Sequence, residues 1–296
     1  MKEIILITGA NGSLAKTVKE LLSNRYEIRN LTTNKKSVDK KSTFYWDITK
    51  KYIDTNALKN CKHIIHLSGY SILKKWTDKN KKLMHESRIG GAKLLFKKCK
   101  ELNISPTTFI SASASGIYGL TAIGLKTEKD EIGLDWVAKM ANEWEISAQK
   151  FSELGTRVVN MRLSLLLSKN SGFLKYTLLS MKYGIGIITG EKKDPINWIH
   201  IDDVASFIKE SIQKEQYQGT YNLANQYEIS QEKFFKTIKK ELFPYSLIIR
   251  LPIFCIRLVL GKRSMIINSK ITLSVDKLKR SNFVWKYTRL EDVLKN

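Results

Sequence analysis

A chain of 296 residues with 43% hydrophobic side chains can form one large or two small domains around a substantial core. It holds no run of about 18 uncharged apolar residues and no basic leader with a small-residue cleavage site, which excludes a transmembrane segment and points to a soluble cytoplasmic protein. The net charge of +23 is scattered as lysine pairs, from Lys35-Lys36 to Lys239-Lys240, so it describes solvated faces and no specific nucleic-acid partner is expected.

Cys61, Cys99 and Cys255 are odd in number and far apart, which argues against a disulfide framework and for buried thiols. His63, His66, His85 and His200 lack the i, i+4 pairing of a helical metal site, and no metal is expected.

The chain opens on Ile4-Ile5-Leu6-Ile7, continuously apolar as a buried parallel strand must be. Then come Thr8-Gly9-Ala10-Asn11-Gly12-Ser13-Leu14-Ala15 and a helical pattern over 16–24. A helix entered from a glycine turn offers N–H groups and a positive dipole end to a phosphate. The spacing Gly-x-x-Gly-x-x-Ala is looser than Gly-x-Gly-x-x-Gly, but strand and helix flank it as a dinucleotide site requires.

Further strands are predicted at 26–31, 43–46, 63–67, 107–111 and 157–163. Helices are predicted around 57–59, from 78 to 101 with Leu83, Leu94 and Leu95 inward, and over 136–154. This alternation predicts an α/β fold, a doubly wound parallel sheet of the Rossmann type with helices on both faces. After the second strand the chain reads Thr32-Thr33-Asn34-Lys35-Lys36, with no carboxylate before Asp39. A basic turn of this kind, with Thr33 and Lys35 at its edge, suits a 2′-phosphate, so NADP is the expected cofactor and NAD the alternative.

Beyond 163 the pattern changes. Residues 172–190 predict a helix followed by a flexible glycine loop, and helices are predicted over 203–214 and 231–242. Phe283, Trp285, Leu290 and Val293 in the tail are core-seeking. Residues 247–260 are strongly apolar, with Pro252 placed to start a helix and Gly261 to end it. Arg250 and Arg257 interrupt that run and it is too short to span a bilayer, so a buried lid or subunit contact is expected, with peripheral membrane contact as the alternative. The expected domains are a dinucleotide-binding core over 1–165 and a region over 166–296 that partly completes the core and forms a small substrate lobe.

Four segments resemble the extended short-chain dehydrogenase/reductase superfamily: Thr8-Gly9-Ala10-x-Gly12, Trp46-Asp47-Ile48, His66-Leu67-Ser68-Gly69 and Ser111-Ala112-Ser113-Ala114-Ser115-Gly116-Ile117-Tyr118-Gly119. Lys75-Trp76-Thr77, Ser87-Arg88-Ile89, Trp198-Ile199-His200-Ile201-Asp202-Asp203 and Tyr221-Asn222-Leu223-Ala224 resemble its atypical YfcH-like branch of epimerase-family proteins. The resemblance implies that Gly9, Asn11, Gly12, Ser13 and Leu14 line a pyrophosphate, Asp47 and Ile48 an adenine, and Leu67, Ser68 and Gly69 its ribose. It also implies homodimers through two long helices.

The chemistry implied by the resemblance is proton transfer by a Tyr with a Lys four residues on, while a Ser polarises the carbonyl during hydride transfer. Ser113 matches the serine. Asp135-Trp136-Val137-Ala138-Lys139 keeps the lysine but has Asp135 at the tyrosine position, and a carboxyl of pKa about 3.9 is a poor proton donor where a phenol of about 10 belongs. Tyr118 is the replacement general acid, supported by Lys139 or Arg88, unless it only packs beneath the nicotinamide. Arg88 suits an anionic group of cofactor or substrate through its guanidinium fork, or pairs with Glu86 or Glu128. Trp76 and Trp198 are expected on the substrate side. The implied activity is that of an oxidoreductase or epimerase on a small, anionic carbonyl or sugar-like substrate; the alternative is a cofactor-binding redox sensor or interaction protein with little turnover.

Overall fold

The computed structural model describes residues 2–267 and 269–295, so Met1 and Asn296 at the ends of the stretches read above lie outside the described residues. The first half of the chain forms β1 (Ile4–Thr8), α1 (Ser13–Leu22), β2 (Glu27–Thr32), β3 (Thr43–Asp47), β4 (Tyr52–Ile53), β5 (Cys61–His66), α2 (Asp78–His85), α3 (Gly91–Glu101), β6 (Thr108–Ala114), β7 (Ile123–Lys126), α4 (Trp136–Gln149) and β8 (Arg157–Leu163). The second half adds β9 (Leu165–Leu167), α5 (Gly172–Lys182), β10 (Ile185–Thr189), β11 (Pro195–Ile196), β12 (Trp198–His200), α6 (Ile201–Gln213), β13 (Gly219–Leu223), β14 (Ile229–Ser230), α7 (Gln231–Glu241), β15 (Leu247–Leu251), α8 (Ile253–Leu260), α9 (Ser264–Ile267), β16 (Lys270–Leu273), α10 (Asp276–Arg280) and α11 (Leu290–Lys295).

Among the described residues an eight-stranded sheet runs in the order β13-β8-β6-β5-β1-β2-β3-β4. β1 pairs in parallel with β2 on one side and β5 on the other, so the strand order reverses at β1. Open α/β sheets bind ligands outside the carboxyl ends of the strands at such a switch point. Every residue of β1 is buried, as its unbroken apolar run requires.

Two compact units emerge. One comprises Met1–Ser113, Met140–Met161 and Ala205–Tyr221; the other Ala114–Lys139, Arg162–Val204 and Asn222–Asn296. The chain leaves the first unit within the later halves of three sheet strands, β6, β8 and β13. The first unit's core gathers Leu6, Leu31, Phe44, Ile64, Leu95 and Phe109, with the Phe109 and Phe151 rings stacked 3.8 Å apart. The second unit has its own core around Leu174, Met181, Trp198, Phe234 and Leu290.

Three local readings change. The helix predicted over 78–101 is broken by a π-turn at Glu86–Gly90. A π-turn adds a residue to the helical repeat and shifts the inner face, so Met84 is buried while Leu83 is 39% exposed. The predicted glycine loop after α5 is largely strand β10, paired in register with β15 from Ile185↔Leu247 to Thr189↔Leu251. The apolar run 247–260 is therefore strand, then helix, and Pro252 sits at the joint with extended ψ 143. The core-seeking tail residues Phe283, Trp285, Leu290 and Val293 are all buried.

Candidate active site

In the first unit the site is built on the β1–α1 turn. Gly9 has φ +73, and a Cβ there would lie 2.8 Å from the Leu67 carbonyl oxygen and 2.9 Å from the Ser68 nitrogen. Glycine is needed both for its backbone angle and for the close approach of the turn to the end of β5. The Gly12 N–H closes the turn on the Gly9 carbonyl at 2.9 Å, and no side chain caps α1, which leaves its leading N–H groups to a ligand. Asn11 and Gly12 are exposed, Ser13 is half-buried, and Leu14 and Ala15 are buried, so the turn faces outward while its far end packs.

A directional hydrogen-bond chain fixes the neighbouring loop. Burial pushes the His66 pKa down to about 4, so the ring is neutral near pH 7. Its Nε2 faces the Arg88 carbonyl at 2.9 Å and its Nδ1 faces the Thr8 hydroxyl at 2.9 Å. The ring therefore donates at Nε2 and accepts at Nδ1. Thr8 Oγ1 in turn accepts the N–H groups of Leu67 and Ser68, each at 3.1 Å. Ser68 Oγ donates to the Ser87 carbonyl at 2.8 Å, and Ser87 Oγ accepts the Tyr70 N–H at 2.7 Å. The segment Leu67, Ser68 and Gly69 is thus held between β1 and the π-turn.

Arg88 projects from that π-turn. Its Nη1 donates to the carbonyls of Tyr70 and Met84 at 2.9 and 3.0 Å, and its Cζ lies 5.2 Å from the centre of the Trp144 ring. A Cβ on Gly69 would come within 3.0 Å of the guanidinium. Glu86 does not pair with it, and among the described residues no carboxylate forms an ion pair with Arg88. Burial lowers its pKa to about 10, which leaves it charged, partly desolvated and without a counter-ion.

Thr33 and Lys35 are exposed, and Lys35 Nζ lies 5.2 Å from the Tyr45 ring centre. Asp39 is occupied with its own turn: Oδ1 accepts the N–H groups of Lys41, Ser42 and Thr43, and Oδ2 accepts the Ser42 hydroxyl. Those bonds hold its carboxyl well below the usual range. Asp47, the last residue of β3, accepts the Lys50 N–H at 3.0 Å and the Tyr45 hydroxyl at 3.1 Å, which lowers its pKa. Ile48 is half-buried close to Gly90, where a Cβ would meet it at 3.0 Å.

Ser113, one residue before the end of β6, is buried and donates its hydroxyl proton to Glu145 Oε1 at 2.6 Å. Sequence reasoning missed Glu145. The available signal is the helix face Ala138, Ala141, Glu145 and Ala148, spaced three, four and three apart, with a carboxylate on an otherwise small, inward face. The adjacent Trp144 meets Arg88, so one turn of α4 reaches both side chains. Trp76 is half-buried and donates its indole N–H to the Ile72 carbonyl at 2.9 Å.

The remaining candidates lie in the second unit. Tyr118 is buried; its hydroxyl donates to Asn222 Oδ1 at 2.6 Å and accepts from Arg162 Nη1 at 3.0 Å. Burial raises its pKa in spite of Arg162. Asp135 caps α4: Oδ1 accepts the N–H groups of Val137 and Ala138 at 2.9 and 3.1 Å, and Oδ2 that of Leu120 at 2.7 Å. Lys139 is exposed, and Tyr118 is held by Asn222 and Arg162 rather than by that lysine. Glu128 accepts the Asn222 N–H at 2.9 Å. Trp198 is 2% exposed within the second core. Asp203, in the first turn of α6, accepts the N–H groups of Lys286 and Tyr287 and ties down the tail; burial pushes its pKa up to about 6.

Among the described residues no group of three or more His, Cys, Asp or Glu gathers to hold a metal, and no helix is long and apolar enough to cross a membrane. Cys61 and Cys99 are buried thiols and Cys255 is half-buried.

Residues 5–224 match the family model described as NAD dependent epimerase/dehydratase family. An epimerase family protein of Staphylococcus aureus is 29% identical over 294 residues, covering 98% of this chain and 97% of that protein. Human epimerase family protein SDR39U1 (isoform 2), crystallised with NADPH, superposes with TM-score 0.84 at 20% identity, covering 99% of this chain and 98% of that chain. UDP-N-acetylglucosamine 4-epimerase from Methanobrevibacter ruminantium, in complex with UDP-N-acetylmuramic acid, gives 0.79 at 17% identity over 100% and 97%. At such identities the likeness to the solved structures is one of fold.

Proposed function

This chain belongs to the NAD dependent epimerase/dehydratase family, and from that premise we propose that it binds NADP, with NAD as the alternative, and uses it to oxidise, reduce or epimerise a small anionic carbonyl or sugar-like substrate. The observation that carries the cofactor reading is Gly9, whose positive φ and contact with Leu67 and Ser68 make room for a backbone-lined phosphate site at the start of α1. NADP is favoured because Asp39 is consumed by its own turn while Lys35 is exposed.

When bound, the nicotinamide supplies or accepts the hydride. The chain's own part is proton handling. Ser113 already donates to Glu145, so a substrate hydroxyl can hand its proton to Ser113 Oγ as the serine proton passes to the Glu145 carboxylate. The reverse transfer protonates a carbonyl being reduced. Arg88, a cation with no carboxylate of its own, supports the anionic substrate. The donor and acceptor bonds that Tyr118 makes to Asn222 and Arg162 favour a packing role for it over that of general acid.

The test is NADPH oxidation across a panel of carbonyl compounds. Glu145→Gln should lower kcat about 100-fold with NADPH affinity unchanged; full turnover in that variant refutes the relay. A second reading, a cofactor-binding sensor or interaction protein, is favoured by Asp135, which serves as a helix cap where a proton donor was expected. NADPH binding without turnover on any panel member would select it.

A further inference from the structure

The segment from β15 to α9 exposes apolar side chains in an unusual arrangement. In β15, Leu247 and Ile249 are 67% and 38% exposed, and Ile185, in register with Leu247 on β10, is 45% exposed. The pleat places Leu247 and Ile249 on one face of that two-stranded sheet. Pro252 then turns the chain into α8, where Phe254 and Leu258, four apart on one helix face, are 63% and 84% exposed. A surface helix ordinarily turns charged residues outward; α8 turns out Phe254, Arg257 and Leu258, and Arg257 is its sole polar residue.

Along this stretch of the chain the charge has one sign, and an acid that reaches it, Glu191, belongs to another segment. From residue 242 to residue 275 the sequence has no Asp or Glu, while Arg250, Arg257, Lys262, Arg263 and Lys270 all fall within it. Arg250 is engaged with Glu191. Arg257 and Lys262 are exposed, and among the described residues neither forms an ion pair with a carboxylate.

We infer that the face formed by Leu247, Ile249, Phe254, Arg257, Leu258 and Lys262 docks on an anionic lipid bilayer. Apolar side chains followed by unpaired cations match an interface where acyl boundary lies just beneath phosphate: Phe254 and Leu258 enter the boundary and Arg257 and Lys262 take the headgroup phosphates. A second copy of the chain fits less well. A self-complementary contact would bring the same cations together, with no acid between 242 and 275 to offset them, in a chain of net charge +23. This inference is independent of the proposed catalytic role, since none of the six side chains belongs to that machinery.

The experiment is co-sedimentation of the full chain with vesicles of phosphatidylcholine alone, or of phosphatidylcholine and phosphatidylglycerol at about 7:3. Binding is expected to the mixed vesicles only, and to fall as salt rises. Each cation near the surface should contribute about fivefold, so Arg257→Gln with Lys262→Gln should weaken partitioning about 30-fold. Phe254→Ser with Leu258→Ser should weaken it at least about tenfold while circular dichroism, melting temperature and NADPH affinity stay at wild-type values. No association with the mixed vesicles overturns the inference, as does equal, salt-insensitive binding to both compositions, or wild-type binding by the Phe254→Ser, Leu258→Ser variant. Sedimentation velocity showing a lipid-free dimer that the same variant dissolves would assign the face to a second copy instead.

Discussion

Arg88→Met separates a cation kept for structure from one kept for a ligand. Burial moves the guanidinium pKa from 12.5 to about 10, a desolvation cost of about 3 kcal/mol. Against it stand two charge-assisted bonds to the Tyr70 and Met84 carbonyls, each worth about 1.5 kcal/mol net, and about 1 kcal/mol from the Trp144 ring. The opposing terms nearly cancel. Methionine keeps much of the stem's packing, so stability in urea should stay within about 1 kcal/mol of wild type, where breaking a paired buried cation would cost 3–5 kcal/mol on the usual scale. Affinity for inorganic phosphate, measured by titration calorimetry with NADPH present, should fall about 10- to 100-fold, the loss of one charge-assisted fork. A variant destabilised by several kcal/mol with phosphate affinity unchanged would make Arg88 a structural residue and refute this account.

Gly9→Ala must adopt a left-handed angle and push a methyl group into the Leu67 carbonyl; a stability loss of about 2 kcal/mol or more and loss of NADPH binding, read by fluorescence, are expected. His66 titrates lower in the folded chain, at about 4, than its ordinary 6.5. Between those values the unfolded chain holds the extra proton, so stability falls as pH drops from about 6.5 to 4, by about 3 kcal/mol in all; His66→Gln should flatten that part of a urea-midpoint against pH curve. Tyr118→Phe should cost about 1–3 kcal/mol by leaving Asn222 and Arg162 short of a buried partner, yet leave kcat within about threefold. A large kcat loss with stability intact would restore Tyr118 as the general acid.

The sheet was legible because its signals are local: β1 is apolar without interruption, Gly9 and Gly12 follow it, and helices alternate with strands at ordinary spacing. What escaped was set by distant pairing. β10 contains a glycine and finds its partner β15 some 60 residues on, so nothing nearby marks it as a strand. Ser113 meets Glu145 across 32 residues, and only the inward phase of that carboxylate on α4 hints at the contact. Asp39 and Asp135 are plain carboxylates in sequence; their roles in a turn and at a helix end depend on N–H groups whose directions the fold decides. Leu83 and Met84 exchanged places because a hydrophobic pattern cannot reveal a change of helical repeat.

That change of repeat makes the geometry around Arg88 depend on residue number as well as residue type. Removing one residue from Glu86–Gly90 would close the π-turn into an unbroken α-helix whose turns before and after it keep nearly their present phase, because the residue removed is the surplus one. Met84 would stay inward, but the Arg88 carbonyl that receives the His66 proton would lose the bulged backbone that presents it. A one-residue deletion here should therefore keep the core face of the helix and cost the His66 contact and the placement of Arg88, whereas a deletion elsewhere in α2 or α3 would rotate one flank by roughly 100°.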